Sequence, residues 1–334
     1  MKKTLLFILL VAGVCILFIA NLLFGSIHIA PEIVWESIFM PDSDNTMGFI
    51  VRESRLPTAF TALLAGGALG VSGLMLQTLF RNPLAGPSIL GISSGASLGV
   101  ALVVLFFGGS VSLGFADWSG TMAISAGAIV GSAAVMGALI IFSSYIHSDL
   151  LLLITGIMVG YLTSSLVTLL SSFATAEGIQ GYVSWGMGSF TAVSSDSLPI
   201  FAILIVLSLF TSVFLSKPLN ILLLGYDYAR NLGVNIKFVR NCLLIISSLL
   251  TAVVTAWCGP ISFIGLTIPH IARLLFRTDN HLILLPATML CGSIVSLACN
   301  VASTIPENAV IPINALTPLF GVPVILYIIL HKRR

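Results

Sequence analysis

Apolar residues form long runs along this chain, and polar residues gather in the short segments between the runs. The runs match the roughly 20 apolar residues that a helix needs to cross the hydrocarbon layer of a bilayer. They are apolar on all sides, without the alternation of a membrane β-barrel strand, so we predict an all-α fold. About ten transmembrane helices are predicted, at residues 4–24, 57–79, 86–107, 119–144, 149–174, 197–215, 239–257, 260–275, 281–304 and 311–330.

Three of these spans have unusual ends. The first follows Lys2 and Lys3 as a secretory signal would, but residues 4–24 exceed the roughly 7–15 apolar residues of a signal peptide. We therefore predict a first helix that stays in the protein. The third span is expected to begin irregularly at Pro87, and the eighth is short and contains Pro260 and Pro269.

Basic residues fall mostly on one side of the predicted spans. Because the number of spans is even, both termini share a side, and the positive-inside rule makes the side richer in Lys and Arg cytoplasmic. With cytoplasmic termini, only Arg52 and Arg55 of the 14 basic residues lie outside. The inner basic residues are Lys2, Lys3, Arg81, Lys217, Arg230, Lys237, Arg240, Arg273, Arg277, Lys332, Arg333 and Arg334. The outer acidic residues are Glu32, Glu36, Asp42, Asp44, Glu53, Asp117, Glu177, Asp196 and Glu307. We therefore predict that both termini are cytoplasmic.

Composition restricts the class of protein further. The chain is 57% hydrophobic and 8% charged, whereas a soluble protein carries about 25% charged residues. This excludes a soluble enzyme, a disordered scaffold and a nucleic-acid binder, which would need a basic face. The five cysteines lie in apolar runs without a CxxC pair, so neither a zinc site nor a disulfide framework is indicated. We predict one transmembrane domain over residues 1–334.

The centres of the predicted spans lack charged side chains. Ion-coupled carriers usually keep carboxylates or histidines there as relays. The chain also lacks the GxxxxGK[ST] motif for nucleotide phosphates, an HExxH motif and a Ser/His/Asp constellation. We therefore predict no catalytic residue, metal site or cofactor in this chain. His270 and His281 lie at or near span ends and are interpreted as interfacial residues rather than ligands, and for His270 a structural role is also favoured over a ligand role.

Glycines recur at helical spacing within two of the spans. Small residues let helix backbones approach closely in a membrane protein, so these glycines are interpreted as packing positions. They are Gly66, Gly70 and Gly73 in the second span and Gly127, Gly131 and Gly137 in the fourth.

Several longer strings are too specific to reflect helix packing alone. They are RLP (55–57), QTLFRNPLA (77–85), WGMGSF (185–190), LNILLLG (219–225), ARNLGV (229–234), CGPISFIGLTIPHIAR (258–273) and LTPLFGVP (316–323). From about residue 50 to 334 the chain resembles the FecCD/BtuC-type permeases of bacterial ABC importers for ferric siderophores, haem and cobalamin. The family-motif positions are Gln77, Arg81, Asn82, Pro83, Gly265, Pro269, His270 and Arg273.

The resemblance implies the type II ABC importer permease fold, in the bacterial inner membrane. A second permease copy or a paralogue would complete the pathway, and two cytoplasmic ATPase subunits would carry ATP and Mg. A periplasmic or lipid-anchored substrate-binding protein would deliver the substrate. A ferric siderophore or haem ranks first as substrate, and cobalamin is the alternative. An ion-coupled secondary carrier and a membrane-embedded enzyme are the competing functions, and the residues above argue against both.

The resemblance also makes the inner segment 216–238 the element that couples the permease to the ATPase; the alternative is an ordinary connecting loop. Leu219, Leu222, Leu223, Leu224 and Leu232 are predicted to anchor one face, and Gly225 and Gly233 to allow sharp turns or helix ends. Relatives often carry Glu where this chain has Tyr226. The predicted coupling residues are Leu219, Asn220, Leu224, Gly225, Tyr226, Asp227, Ala229, Arg230, Leu232 and Gly233.

Two further sites follow from position in the family. Arg52 and Arg55 are predicted to dock the binding protein, although Arg55 could instead be an interfacial arginine whose head reaches toward water. Relatives usually carry Asp, followed one turn later by Arg, where this chain has Asn300. A cytoplasmic gate is predicted at Ser148, Asp149 and Leu150. Gln77 could face the pathway or serve packing.

Overall fold

The structure is a computed structural model that describes residues 2–25, 27, 29–39, 46–112, 117–146, 148–306 and 310–331. Asp42, Asp44, Glu307 and residues 332–334, which entered the charge argument, lie outside the described residues. The α-helices are α1 Lys2–Leu23, α2 Pro31–Phe39, α3 Thr46–Ile50, α4 Leu56–Leu79, α5 Ile92–Ala101, α6 Thr121–Tyr145, α7 Asp149–Ser171, α8 Ala176–Gly186, α9 Leu198–Phe214, α10 Ser216–Leu222, α11 Tyr226–Asn231, α12 Ile236–Cys258, α13 Ile264–Phe276, α14 His281–Ser303 and α15 Ile313–His331.

Short irregular elements extend or connect these helices. A π-helical turn at Val51–Arg55 leads into α4, another at Leu102–Phe106 continues α5, and a 3-10 turn forms at Phe190–Ala192. Strands β1 (Ser110–Ser112) and β2 (Asp117–Ser119) pair antiparallel, with Ser110 opposite Ser119. The fold is therefore all-α, as predicted, apart from this short strand pair among the described residues, which the hydropathy pattern did not indicate.

Each predicted span corresponds to a helix. Among the described residues, six helices are long and apolar enough to cross a membrane, counting Thr46–Leu79 as one, and the pair α9 and α10, bent by 51°, adds a seventh. Three shorter apolar helices lie at Ile92–Phe106, Ile264–Phe276 and Ile313–Tyr327. The irregular start predicted for the third span is confirmed, because residues 86–91 form turns before α5. The predicted start of the eighth span is wrong: residues 260–263 precede α13, and Phe263 has a φ of 66°, which is not helical.

The predicted outer loops contain helices that the search for spans missed. α2 and α3 lie between the first two spans, and α8 lies in the predicted loop 175–196. α8 begins after Thr175, whose hydroxyl accepts a hydrogen bond from the backbone N–H of Gly178 at 3.2 Å. These helices are too short to cross a membrane, so a criterion based on apolar length cannot find them.

α4 occupies the centre of the bundle. Most of its residues are buried, and α9, α12, α13 and α14 pack around it. A Cβ at Gly66 would collide with the backbone of Gly292, and one at Gly73 with that of Gly265. Close packing is confirmed at Gly66, Gly70, Gly73, Gly127 and Gly131, and is wrong for Gly137, which has open space beside it. Because its neighbours pack closely against it, α4 is fixed in the bundle. Clusters of polar side chains lie at both of its ends, around Arg55 and around Gln77.

Candidate functional site

The segment 216–238 folds into α10, α11 and the turn that leads to α12. It lies at the end of the bundle that the charge pattern predicts to be cytoplasmic, which we call the inner end; the opposite end is the outer end. Gly225 and Gly233 have φ values of 110° and 79°, in the region that glycine adopts without steric cost. Both glycines therefore mark helix ends, as predicted.

The coupling segment has a buried side and an exposed side. Leu219, Leu222 and Ala229 are buried against the bundle, so the predicted anchor is confirmed at Leu219 and Leu222. It is wrong at Leu223, Leu224 and Leu232, because α10 ends at Leu222 and the chain then turns outward. The exposed side comprises Leu223, Leu224, Asp227, Tyr228, Arg230, Leu232 and Gly233. It combines apolar and charged groups, as a protein-binding surface does.

Tyr226 connects this segment to two other elements. Its hydroxyl donates to Oδ2 of Asp149, the first residue of α7, at 2.6 Å, and lies 3.2 Å from the carbonyl oxygen of Leu79 at the end of α4. The guanidinium of Arg81 lies 4.3 Å from the centre of the Tyr226 ring, a cation–π contact. Burial, then the hydrogen bond and charge of Asp149, raise the pKa of the Tyr226 phenol. The phenol therefore remains a donor at physiological pH.

The predicted gate lies where α6 meets α7. Ser148 precedes α7 and its hydroxyl accepts from the N–H of Leu151 at 3.5 Å, Asp149 accepts from Tyr226, and Leu150 is exposed. On the other side of the turn, Arg240 of α12 donates to the carbonyl oxygens of Ser143 and Ile146. The connection between α6 and α7 is thus bonded to α11 through Tyr226 and to α12 through Arg240. That it gates a pathway stays a prediction.

Asn220 of the coupling segment binds the start of α14. Its Nδ2 donates to Oδ1 of Asn280 at 2.9 Å, and its Oδ1 accepts from the backbone N–H of His281 at 2.8 Å. The same oxygen lies 2.9 Å from Nδ1 of His281. Because an amide oxygen only accepts, Nδ1 carries the proton, and Nε2 accepts from the Thr78 hydroxyl at 2.8 Å. His281 is 1% exposed, so its ring lies within the protein and the interfacial interpretation is wrong.

The two most specific motif strings meet at the inner end of α4. Gln77 is buried; its Nε2 donates to the carbonyl oxygen of Leu266 at 3.0 Å, and its Oε1 accepts from Arg273 at 2.6 Å. Nε2 of His270 donates to the carbonyl oxygen of Pro83 at 2.8 Å, which confirms the structural interpretation of His270. These contacts favour packing over a pathway position for Gln77.

The neighbouring motif residues shape the turns around this meeting point. Arg81 adopts a left-handed φ of 45°, and the side chain of Asn82 accepts from the N–H of Leu84 at 2.9 Å. Gly265 packs against Gly73, and Pro269 lies inside α13. Arg273 also forms an ion pair with Asp279 at 3.7 Å.

Arg55 lies at the outer end of α4 and points into the protein. It is 8% exposed and donates through Nη1 to the carbonyl oxygens of Leu22 and Leu23, at 2.7 and 2.8 Å, and through Nη2 to that of Ile27. This geometry favours a structural role over the predicted docking role, because the guanidinium is engaged by the end of α1. Arg52 is half-buried, and its docking role stays a prediction.

Asn300 is also turned inward at the outer end. Its Nδ2 donates to Oδ1 of Asn21 at 2.7 Å, and Asn21 donates to the carbonyl oxygen of Leu297 at 3.1 Å. Both amides border a cavity of about 310 Å³ that Arg55 and Thr58 also line. The position where relatives usually carry a charged docking residue is therefore part of the interior here.

Sequence reasoning missed several residues of the inner cluster, among them Thr78, Arg240 and Asp279. Arg240 could have been found, because it falls on the same helical face as the buried Leu243 and Leu244. Thr78 gives no such signal, since its partner His281 lies 203 positions away in the chain. Within the described part of the chain, no group of three or more His, Cys, Asp or Glu side chains is placed to hold a metal ion.

Comparisons with known proteins agree with one another. The sequence model of the FecCD transport family matches residues 12–331. The vitamin B12 import system permease protein BtuC of Salmonella paratyphi A is 36% identical over 85% of this chain and 84% of its own. The hemin transport system permease protein HmuU of Yersinia pestis is 32% identical over 97% of this chain and 96% of its own.

Solved structures resemble the chain as well. A structure described as a metal-chelate type ABC transporter in an inward-facing conformation has a TM-score of 0.85 and 31% identity, over 98% of this chain and 99% of that one. PsaBC from Streptococcus pneumoniae, in complex with Fab, has a TM-score of 0.54 and 19% identity, over 82% of this chain and 90% of that one. The second likeness concerns the fold alone.

Proposed function

We propose that this chain, which belongs to the FecCD transport family, carries a ferric siderophore or haem across the inner membrane of a bacterium. The chain is a multi-pass permease of the metal-chelate ABC importer type. The observation that carries the proposal is the match to a metal-chelate transporter over 98% of the chain, with a TM-score of 0.85. The likeness to a hemin permease over 97% of the chain supports haem among the chelates.

The energy for transport comes, in this proposal, from two separate ATPase subunits at the inner end. The exposed side of α10 and α11 supports this, because it offers Leu224, Tyr228, Arg230 and Leu232 beyond the bundle. ATP and Mg would reside on the ATPase, since the chain carries no phosphate-binding motif. The burial of Leu219 and Ala229 and the hydrogen bonds of Asn220 would hold the docking surface in place on the helices.

Two more partners complete the proposed importer. A second copy of the chain or a paralogue would cover the exposed apolar side of α6 and α7, and the substrate-binding protein would approach the outer end. With both termini in the cytoplasm, the binding protein would meet the face of the permease opposite to the ATPase. The chain would form a single permease domain, and it would bind no cofactor itself.

Cobalamin is the alternative substrate. Relatives named as vitamin B12 permeases reach 36% identity, somewhat above the 32% of the hemin permease. The cobalamin ring is itself a metal chelate, so the two proposals share the same mechanism and differ in cargo.

Uptake into proteoliposomes tests the proposal. The permease is reconstituted with its cognate ATPase and binding protein, and haemin, a ferric hydroxamate siderophore and cyanocobalamin are offered separately. We expect uptake of an iron chelate, and we expect this uptake to require ATP on the side of the membrane where α10 and α11 lie. Uptake of cyanocobalamin alone would establish the alternative cargo. Uptake by the permease without ATPase, driven by an ion gradient, would refute the importer.

A further inference from the structure

Asp149 stands where two predicted functions meet. It is the first residue of α7 and belongs to the predicted gate, and its partner Tyr226 is the first residue of α11 in the coupling segment. The bond between them joins residues 77 positions apart in the chain. A contact between the two segments is therefore a property of the fold and not of local sequence.

The carboxylate of Asp149 depends on this bond. Its Oδ2 accepts from Tyr226 at 2.6 Å, whereas its Oδ1 is buried and has no hydrogen-bond partner among the described residues. A short bond to an ionised acceptor is about twice as strong as one between neutral groups. Because Oδ1 is buried without a partner, loss of the bond to Oδ2 would leave this partly buried carboxylate poorly satisfied. The bond therefore favours movement of the first turn of α7 together with Tyr226 when α11 moves.

The other contacts of Tyr226 keep its ring in place. The Arg81 guanidinium lies over the ring, and Arg81 Nη2 reaches the carbonyl oxygen of Leu222 at the end of α10 at 3.5 Å. Arg81 thus orients the ring, and the hydroxyl can be removed without removing this contact. On the α6 side of the turn, Arg240 makes a separate attachment to the carbonyl oxygens of Ser143 and Ile146.

We propose that Tyr226 is a positioning residue that transmits movement of the docking segment to the inner end of α7 through its hydrogen bond to Asp149. The inference rests on the proposed function, since it requires an ATPase that moves the segment. Arg240 fixes the end of α6, so displacement of α11 moves α7 relative to α6. If this hydrogen bond is lost, the ATPase still docks and hydrolyses ATP, but the movement of the docking segment no longer reaches the predicted gate.

The test uses the reconstituted importer with its ATPase and binding protein. Tyr226→Phe removes the hydroxyl, and Asp149→Ala removes the acceptor from the other side. Asp149→Asn keeps an oxygen that accepts. Tyr145→Phe, at the exposed end of α6, is the matched control, because it also removes a phenolic hydroxyl at the inner end. For each variant, substrate moved per ATP hydrolysed is measured.

A labelling assay follows the gate directly. Leu150→Cys is introduced after Cys15 and Cys242, the two cysteines that are not buried, are replaced by alanine. An impermeant maleimide is applied at the inner side, with and without trapped ATP. A purely structural role of Tyr226 would lower the yield of complex but would leave the nucleotide dependence of labelling unchanged in the complex that forms.

We expect Tyr226→Phe and Asp149→Ala each to lower transport per ATP by about fivefold or more, the lower end of ordinary coupling between sites. Both should abolish the nucleotide dependence of labelling at position 150, and the double variant should be no worse than either alone. Asp149→Asn, which keeps an acceptor but not the charge, should lose less than Asp149→Ala, and Tyr145→Phe should stay near the parent.

Two results would overturn the proposal. One is a Tyr226→Phe importer that matches Tyr145→Phe in transport per ATP and in labelling. The other is a double variant whose loss is the product of the two single losses, because the residues would then act independently. If instead the parent itself moves substrate without ATP, the proposed function fails, and that result is distinguishable from both.

Discussion

The inner and outer ends of the bundle differ in the balance of bonds that satisfy their polar side chains. At the outer end, Arg55 and Asn314 bind backbone carbonyls of α1, of α8 and of the turn before α13, and Asn300 with Asn21 forms a pair of side chains. At the inner end, Gln77 and Arg240 also bind carbonyls, but pairs of side chains from different helices are more numerous, as in Tyr226 with Asp149 and Arg273 with Gln77. Bonds to carbonyls fix the path of the main chain, and pairs of side chains join helices at single points.

This difference indicates where movement is tolerated. A backbone carbonyl that loses a buried donor leaves the main chain without an alternative partner, so the outer end resists rearrangement. A pair of side chains can separate and bind water or a new partner while both helices stay intact. We therefore expect the outer end to contribute mostly to stability and the inner end mostly to coupling.

The largest effect is expected from Arg55→Ala. The substitution leaves the buried carbonyl oxygen of Leu22 and the partly buried ones of Leu23 and Ile27 without their donor, and an unsatisfied buried group costs about 1–3 kcal/mol. We expect the free energy of unfolding in detergent to fall by about 3 kcal/mol. Denaturant titration of the purified permease measures it.

Two controls separate this role from docking. Arg55→Lys keeps the charge but not the planar fork of donors, so it should also destabilise, although less. Arg52→Ala, one turn earlier, should cost less than either. If Arg55→Ala unfolds like the parent and instead weakens binding of the substrate-binding protein, Arg55 is a docking residue and the contrast between the two ends fails.

Asn314 provides a second test of the outer end. Its Nδ2 donates to the carbonyl oxygens of Gly186 and Pro260, and its Oδ1 accepts from the N–H of Ser262 at 3.1 Å. Asn314→Ala should cost about 2 kcal/mol, as expected when buried backbone groups lose a partner. Asn314→Asp should cost more, because a carboxylate oxygen would face two carbonyls. An aspartate variant as stable as the parent would show that this amide carries little stability.

The sequence predicts those features of the fold that depend on residues close together in the chain. The bounds of α4 and α14 are predicted within a residue or two, because an apolar run and its ends are local features. α8 is missed because eleven residues of mixed polarity match no span. Gly225 and Gly233 are recognised as turns, since glycine itself signals that conformation.

The site is predicted only in pieces. Tyr226, Asp149, Gln77 and Arg273 all belong to strings that the sequence singles out, but as separate motifs. Nothing local indicates that Gln77 meets Arg273 across 196 positions, or that Arg55 turns inward to α1 rather than outward to a partner. Such pairings depend on how the helices pack, and hydropathy says which residues lie in a span but not which neighbours they face.

At the inner end, substitution of Asn220 is expected to have an intermediate effect on stability. Asn220→Ala removes the acceptor of the His281 backbone N–H and the bond to Asn280. Because the pairing is partly exposed, we expect a loss of about 1 kcal/mol in the free energy of unfolding. Asn220→Asp keeps an acceptor for His281 and should lose less. A loss as large as that of Arg55→Ala would remove the distinction between the ends.

The smallest effect is expected for Asp279→Asn. Asp279 pairs with Arg273 at 3.7 Å, but its side chain is 76% exposed, whereas that of Arg273 is 24% exposed. Exposed ion pairs contribute about 0–1 kcal/mol and weaken with salt, so the variant should lose at most about 0.5 kcal/mol at low salt. In high salt it should be indistinguishable from the parent, because Arg273 keeps its bond to Gln77. A larger loss that persists in high salt would mean that Asp279 holds Arg273 in place. The ion pair would then belong, with the bonds of Arg55, to the rigid part of the molecule.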